Sequence, residues 1–173
     1  MQAAVLGGSA MKALVAYYSQ TGNTEKVARA IYDGLRIDKV LVPVQDVTDV
    51  TGYDVVFCGF PVQAHSVPVK AQGLLKALPD GQKVAFFCTH GSLRGGALPR
   101  QAIEHAVGMV PRAIVLGSFG CRGKVSPQII DMLREKPEHR QWAEEALGAD
   151  AHPDAADLAD AQTFAAGVLA KVG

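Results

Sequence analysis

At 173 residues the chain is long enough to bury one full hydrophobic core. Hydrophobic residues make up 49% and charged residues 20%, the balance of a globular α/β protein and not of a disordered segment. Lys+Arg and Asp+Glu number 17 each, so the basic excess of a nucleic-acid binder is missing, and no apolar run approaches the roughly 20 residues of a membrane span.

Residues 1–11 read as an arm or tag remnant ahead of a more natural start at Met11-Lys12, without the basic region of a signal peptide. Residues 12–173 read as a single domain. Ala13 to Tyr18 is an apolar and aromatic run that stops at Ser19. Ser19, Gln20, Thr21, Gly22, Asn23 and Thr24 follow, and Glu25 opens an amphipathic stretch with Val27, Ile31 and Leu35 at helical spacing. This is a strand, a tight loop and a helix N-terminus. The first amides of such a helix have no intrahelical partner and point outward with the positive end of the helix dipole. An anion placed there accepts several backbone hydrogen bonds. Ser19, Thr21 and Thr24 add hydroxyls, and Gly22 permits a positive φ or close approach. No Lys or Arg lies in the loop and no Gly-Lys-Ser/Thr ending follows, which excludes a triphosphate loop and points to a terminal monophosphate.

Downstream, Lys39 to Val44 reads as a short strand whose Pro43 places it at a sheet edge. Asp54 to Phe60 and Lys83 to Thr89 are continuous apolar runs typical of buried parallel strands, and Arg112 to Phe119 is a fifth strand. Helical stretches separate them: one carries Val69, Leu74, Leu75 and Leu78, another has Pro99 in its first turn, and a last one runs over Asp154 to Val172. Strands alternating with helices predict a parallel sheet. Residues 120–152 form an insertion before the last helix, with a charged helical stretch from Pro127 to Leu147.

Ser19-Gln-Thr-Gly-Asn-Thr24 resembles the FMN phosphate loop of the flavodoxin family, Ser/Thr-x-Thr-Gly-x-Thr, at all four specified positions. The resemblance implies a flavodoxin-like α/β three-layer sandwich with a five-stranded parallel sheet of order 2-1-3-4-5, and FMN as cofactor. It implies that the loops after the third and fourth strands sandwich the flavin ring. That brings in Pro61, Val62, Gln63 and His65 from the first loop, and Thr89, His90, Gly91, Gly95 and Gly96 from the second. These three glycines suit backbone donors turned toward the ring. Family members place Trp or Tyr against the ring, but neither loop contains one; Phe60, Val62, His65, His90 and Leu93 are the surfaces available. The only Trp, Trp142, lies in the insertion and is expected to pack that helix on the body.

The implied function is electron transfer through a non-covalent flavin, with redox partner proteins or a small electron acceptor. The balanced charge departs from the acidic surface usual in the family's carriers, and keeps an FMN-dependent NAD(P)H:quinone-type oxidoreductase as the alternative. Cys58, Cys88 and Cys121 show no metal spacing and fit reduced thiols of a cytoplasmic protein. A remote alternative is a Cys-x5-Arg phosphatase or arsenate reductase loop using Cys88 and Arg94. A receiver domain fails for lack of an acidic pair after the first strand, and a dinucleotide-binding domain for lack of Gly-x-Gly-x-x-Gly.

Overall fold

The computed structural model describes residues 10–173. Most of the expected N-terminal arm therefore lies outside the described residues; Met11 packs against the core. Five strands, β1 (Lys12–Tyr17), β2 (Asp38–Pro43), β3 (Val55–Pro61), β4 (Lys83–His90) and β5 (Ile114–Arg122), form one sheet. All pairings are parallel and the order is β2-β1-β3-β4-β5, as expected. Pro43 does end an edge strand, where its missing N–H breaks no ladder.

The continuous apolar runs are explained by two cores, one on each face. Alternation of side chains sends Val15, Phe57, Phe87 and Cys121 to one face, where helices α1 (Asn23–Gly34) and α6 (Ala155–Val172) cover them. Leu14, Val56, Cys58, Phe60, Phe86 and Cys88 fill the other face beneath α2 (Val69–Ala77) and α3 (Ala97–Gly108). On the first face Phe164 of α6 stacks on Phe119 at 5.6 Å and meets Phe57 edge-on at 6.2 Å. Asp154 caps α6, accepting from the Asp157 amide at 2.9 Å while Asp157 accepts from the Asp154 amide at 2.9 Å.

Two boundaries differ from the sequence reading. Strand β5 continues past Phe119 to Arg122, and a bulge opposite Val84/Ala85 shifts its register. Its last residues are Gly-Cys-Arg, which carry a weak strand signal but pair with Cys88, Thr89 and His90 at the buried end of β4. The charged stretch of the insertion splits into α4 (Pro127–Arg134) and α5 (Arg140–Leu147). Pro137, between them, cannot continue the first helix and starts a short 3-10 turn. Ser126 caps α4 through the Ile129 amide, with Pro127 at the first helical position.

Candidate cofactor site at the carboxyl edge of the sheet

The loop after β1 enters α1 through Gly22, whose φ of 94° lies in the left-handed region. A side chain there would strain the backbone although nothing crowds the position. Ser19 Oγ accepts from the amides of Gly22 (3.1 Å) and Glu25 (3.3 Å), folding the loop around its own hydroxyl. Among the described residues the amides of Thr21, Asn23 and Thr24 have no hydrogen-bond partner. Together with the exposed Thr21 they leave a compact set of donors at a helix N-terminus.

The rest of the loop is braced by distant parts of the chain. Thr24 is 1% exposed, and its hydroxyl shares a 2.8 Å hydrogen bond with that of Thr89 on β4. Thr24 thus ties the helix to the sheet below the loop, a side-chain role different from the outward donor expected. Asn23 Nδ2 donates to the Lys124 carbonyl at 2.9 Å, and Gln63 Nε2 donates to Gln20 Oε1 at 3.0 Å. These contacts bring together the loops after β1, β3 and β5.

A cavity of about 520 Å³ lies beside them, a size suited to a cofactor ring. Val62 and His65 line it from the loop after β3, and His90 and Gly91 from the loop after β4. The Val62 amide donates to the Thr89 carbonyl at 2.9 Å, extending the β3–β4 ladder to the cavity rim. Pro61 ends β3 at the same rim. Gln63 and Ser66 exchange backbone hydrogen bonds of 2.9 and 3.3 Å around Ala64 and His65. Both central residues have positive φ, 46° and 62°, a conformation that costs on the order of 1 kcal/mol each without glycine.

His90 is 7% exposed, and burial pushes its pKa down to about 4. Its neutral imidazole donates from Nδ1 to the Ser92 carbonyl at 3.1 Å. The same carbonyl accepts from Arg122 Nε at 3.2 Å, so Ser92 fixes the loop from two directions. Gly95 and Gly96 do not line the cavity. They form a turn toward α3, closed by the Gly96 amide donating to the Leu93 carbonyl at 3.0 Å. Gly91 does line it, but for a packing reason: a Cβ there would stand 2.6 Å from Val125 Cγ2 and 3.0 Å from Trp142 Cζ2.

The insertion supplies the remaining wall, through Leu133, Glu138, His139 and Trp142. Trp142 packs α5 on the body as expected, its Nε1 donating to Ser92 Oγ at 3.0 Å, and it also lines the cavity. Ser92, Leu133, Glu138, His139 and Lys124 were absent from the residues singled out by sequence. Leu133, Glu138 and His139 reach the cavity only because the α4–α5 insertion folds back over the loop after β4, whereas Ser92 lies within that loop and Lys124 meets Asn23 from the loop after β5.

The Cys-x5-Arg reading fails on geometry. Cys88 is 1% exposed in the core under α2 and α3, and burial pushes its thiol up to about 12, far from a reactive thiolate. Arg94 reaches the opposite side of the sheet, where it pairs with Asp160 of α6 at 2.7 Å.

Residues 14–166 match the family model described as the flavodoxin domain. The chain belongs to the flavodoxin family. Its similarity extends to the flavodoxin-like domain-containing protein BilS of Clostridioides difficile (strain CD3), with 31% identity over 173 residues, 93% of this chain and 98% of that one. The flavodoxin fold is shared with a flavodoxin from the domain Archaea at 18% identity, with TM-score 0.63, over 94% of this chain and 99% of the other. Oxidised flavodoxin 2 from Bacillus cereus gives TM-score 0.63 at 21% identity, over 92% and 99%. A flavoprotein in complex with FMN from Lactobacillus acidophilus NCFM gives 0.53 at 21% identity, over 64% and 93%. This flavodoxin differs from a plain five-stranded frame in the α4–α5 insertion that walls its cavity. Among its described residues no helix is long and apolar enough to cross a membrane.

Proposed function

We propose that the protein binds FMN non-covalently and works as an electron-transfer flavoprotein, exchanging electrons with redox partner proteins or a small acceptor. One observation carries this reading. An uncharged donor loop at the N-terminus of α1 and a ring-sized cavity share one edge of the sheet, braced to each other by the Gln63–Gln20 and Thr24–Thr89 bonds.

The residues present fit the two ends of the cofactor. The amides of Thr21, Asn23 and Thr24 and the Thr21 hydroxyl hold the phosphate, with the Gly22 turn setting their direction. Val62, His65, His90 and Gly91 border the ring. Bound there, FMN supplies reversible one- and two-electron chemistry. His90 stays neutral near pH 7, because its buried ring resists a charge, so it adds no positive charge beside the ring.

The cavity wall formed by the insertion also favours a second reading, an FMN-dependent NAD(P)H:quinone-type reductase, because a walled chamber suits a small acceptor. The purified protein is expected to be yellow and to release FMN on denaturation. A colourless protein that takes up neither FMN nor riboflavin from solution contradicts the proposal. Bleaching by NADPH alone selects the reductase; bleaching only with a one-electron donor selects the carrier.

A further inference from the structure

We propose that Trp142 is the aromatic surface on which the flavin ring rests, supplied by the insertion in place of the aromatic side chains that the ring-binding loops lack. The inference rests on the FMN reading. Neither Pro61–Pro68 nor Thr89–Gly96 contains a Trp or Tyr, and Trp142 is the only Trp in the chain. Aromatic side chains offer a ring both a large apolar contact and a favourable stacking geometry. The cavity would otherwise present the ring with aliphatic side chains and imidazoles.

The placement of the indole is built, not incidental. Trp142 Nε1 donates to Ser92 Oγ at 3.0 Å, on the loop after β4, and Ser92 is itself 5% exposed. The six-membered edge of the indole lies against Gly91, where a Cβ would stand 3.0 Å from Cζ2 and 2.6 Å from Val125 Cγ2. A second clamp stands one turn further along the helix, where Arg122 donates through its guanidinium to the Glu145 carbonyl while its Nε holds the Ser92 carbonyl. Ala143 and Ala146, 0% and 1% exposed, anchor the inner side of α5. The indole is thus fixed by its nitrogen and one edge, yet it stays half-buried and lines the cavity. A side chain held in this way gives up little freedom when a ring docks on it.

The test uses the full chain with bound flavin. Fluorescence yield of the bound flavin and affinities for FMN and riboflavin are measured for the wild type, Trp142→Leu and Trp142→Phe, with thermal stability of the flavin-free proteins alongside. Stacking on the indole is expected to quench the flavin strongly in the wild type. Trp142→Leu should raise bound-flavin emission several-fold and weaken FMN and riboflavin alike by about tenfold, because the contact is with the ring they share. Trp142→Phe should recover most of the affinity. Trp142→Leu with wild-type affinity and unchanged emission overturns the assignment while leaving FMN binding intact. Equal losses in the Leu and Phe variants, tracking lowered stability, also overturn it by marking a purely structural role. A wild type that binds neither flavin overturns the FMN reading itself, and this assignment with it.

Discussion

His90 shows how one position at the end of β4 is tuned by burial. In the unfolded chain its imidazole titrates near 6.5, whereas in the fold it holds off a proton down to about 4. Between these values the unfolded state binds more protons, so stability is lost as pH falls through the window. From about pH 7 to about pH 5 this group alone should remove ~2 kcal/mol. His90→Asn keeps a donor near Nδ1 for the Ser92 carbonyl but cannot take up a proton. Urea unfolding at the two pH values should therefore show a smaller loss for the variant by about that amount; equal losses contradict the buried, neutral histidine. Other residues at this scale were only partly legible. The left-handed Gly22 is a local requirement and shows in the loop sequence. The inward turn of Thr24 depends on Thr89, 65 positions away, and the reason for glycine at 91 lies in Val125 and Trp142.

The elements of the sheet follow from patterns that are local: apolar runs long enough for a buried strand, and helical stretches between them with apolar residues at helical spacing. The insertion is another matter. Its helices α4 and α5 are short, and their inner surface is a small cluster of Ile130, Ala143 and Ala146 with Val125, Leu133 and Trp142 around it. Such a cluster can be seen as amphipathic in sequence, but not where it docks. Contact with the loop after β4 is decided by the close fit at Gly91. Gly91→Ala should lift α5 from this loop, at a cost of roughly 1–3 kcal/mol. Because the chain has a single Trp, its emission reports the change directly: the maximum should shift to longer wavelength as the indole gains water. An unchanged maximum together with unchanged melting temperature contradicts the packing described.

At the scale of the whole molecule, one sheet separates two cores, and each face buries at least one cysteine. Cys58 and Cys121 are 0% exposed and Cys88 is 1% exposed, with all three thiols pushed up to about 12 by burial. Ellman's reagent should find no reactive thiol in the folded protein and three after denaturation. A thiol that reacts rapidly in the native state contradicts the core assignment and reopens chemistry at Cys88. The alternation of strands and helices made a parallel sheet readable, and the resemblance of the Ser19–Thr24 loop to the flavodoxin family implied its order. The cavity was not readable in full, since half of its wall comes from residues that no local pattern assigns to it. The central claim joins the two ends of the site, a phosphate on α1 and a ring in that cavity. It is tested most directly by titrating the flavin-free protein in parallel with FMN and with riboflavin, then repeating both with Gly22→Leu. The account predicts that FMN binds at least about a hundredfold more tightly than riboflavin and that Gly22→Leu removes most of this preference while riboflavin affinity stays near its original value. Equal affinity for the two ligands in the wild type, or a preference untouched by Gly22→Leu, would contradict it.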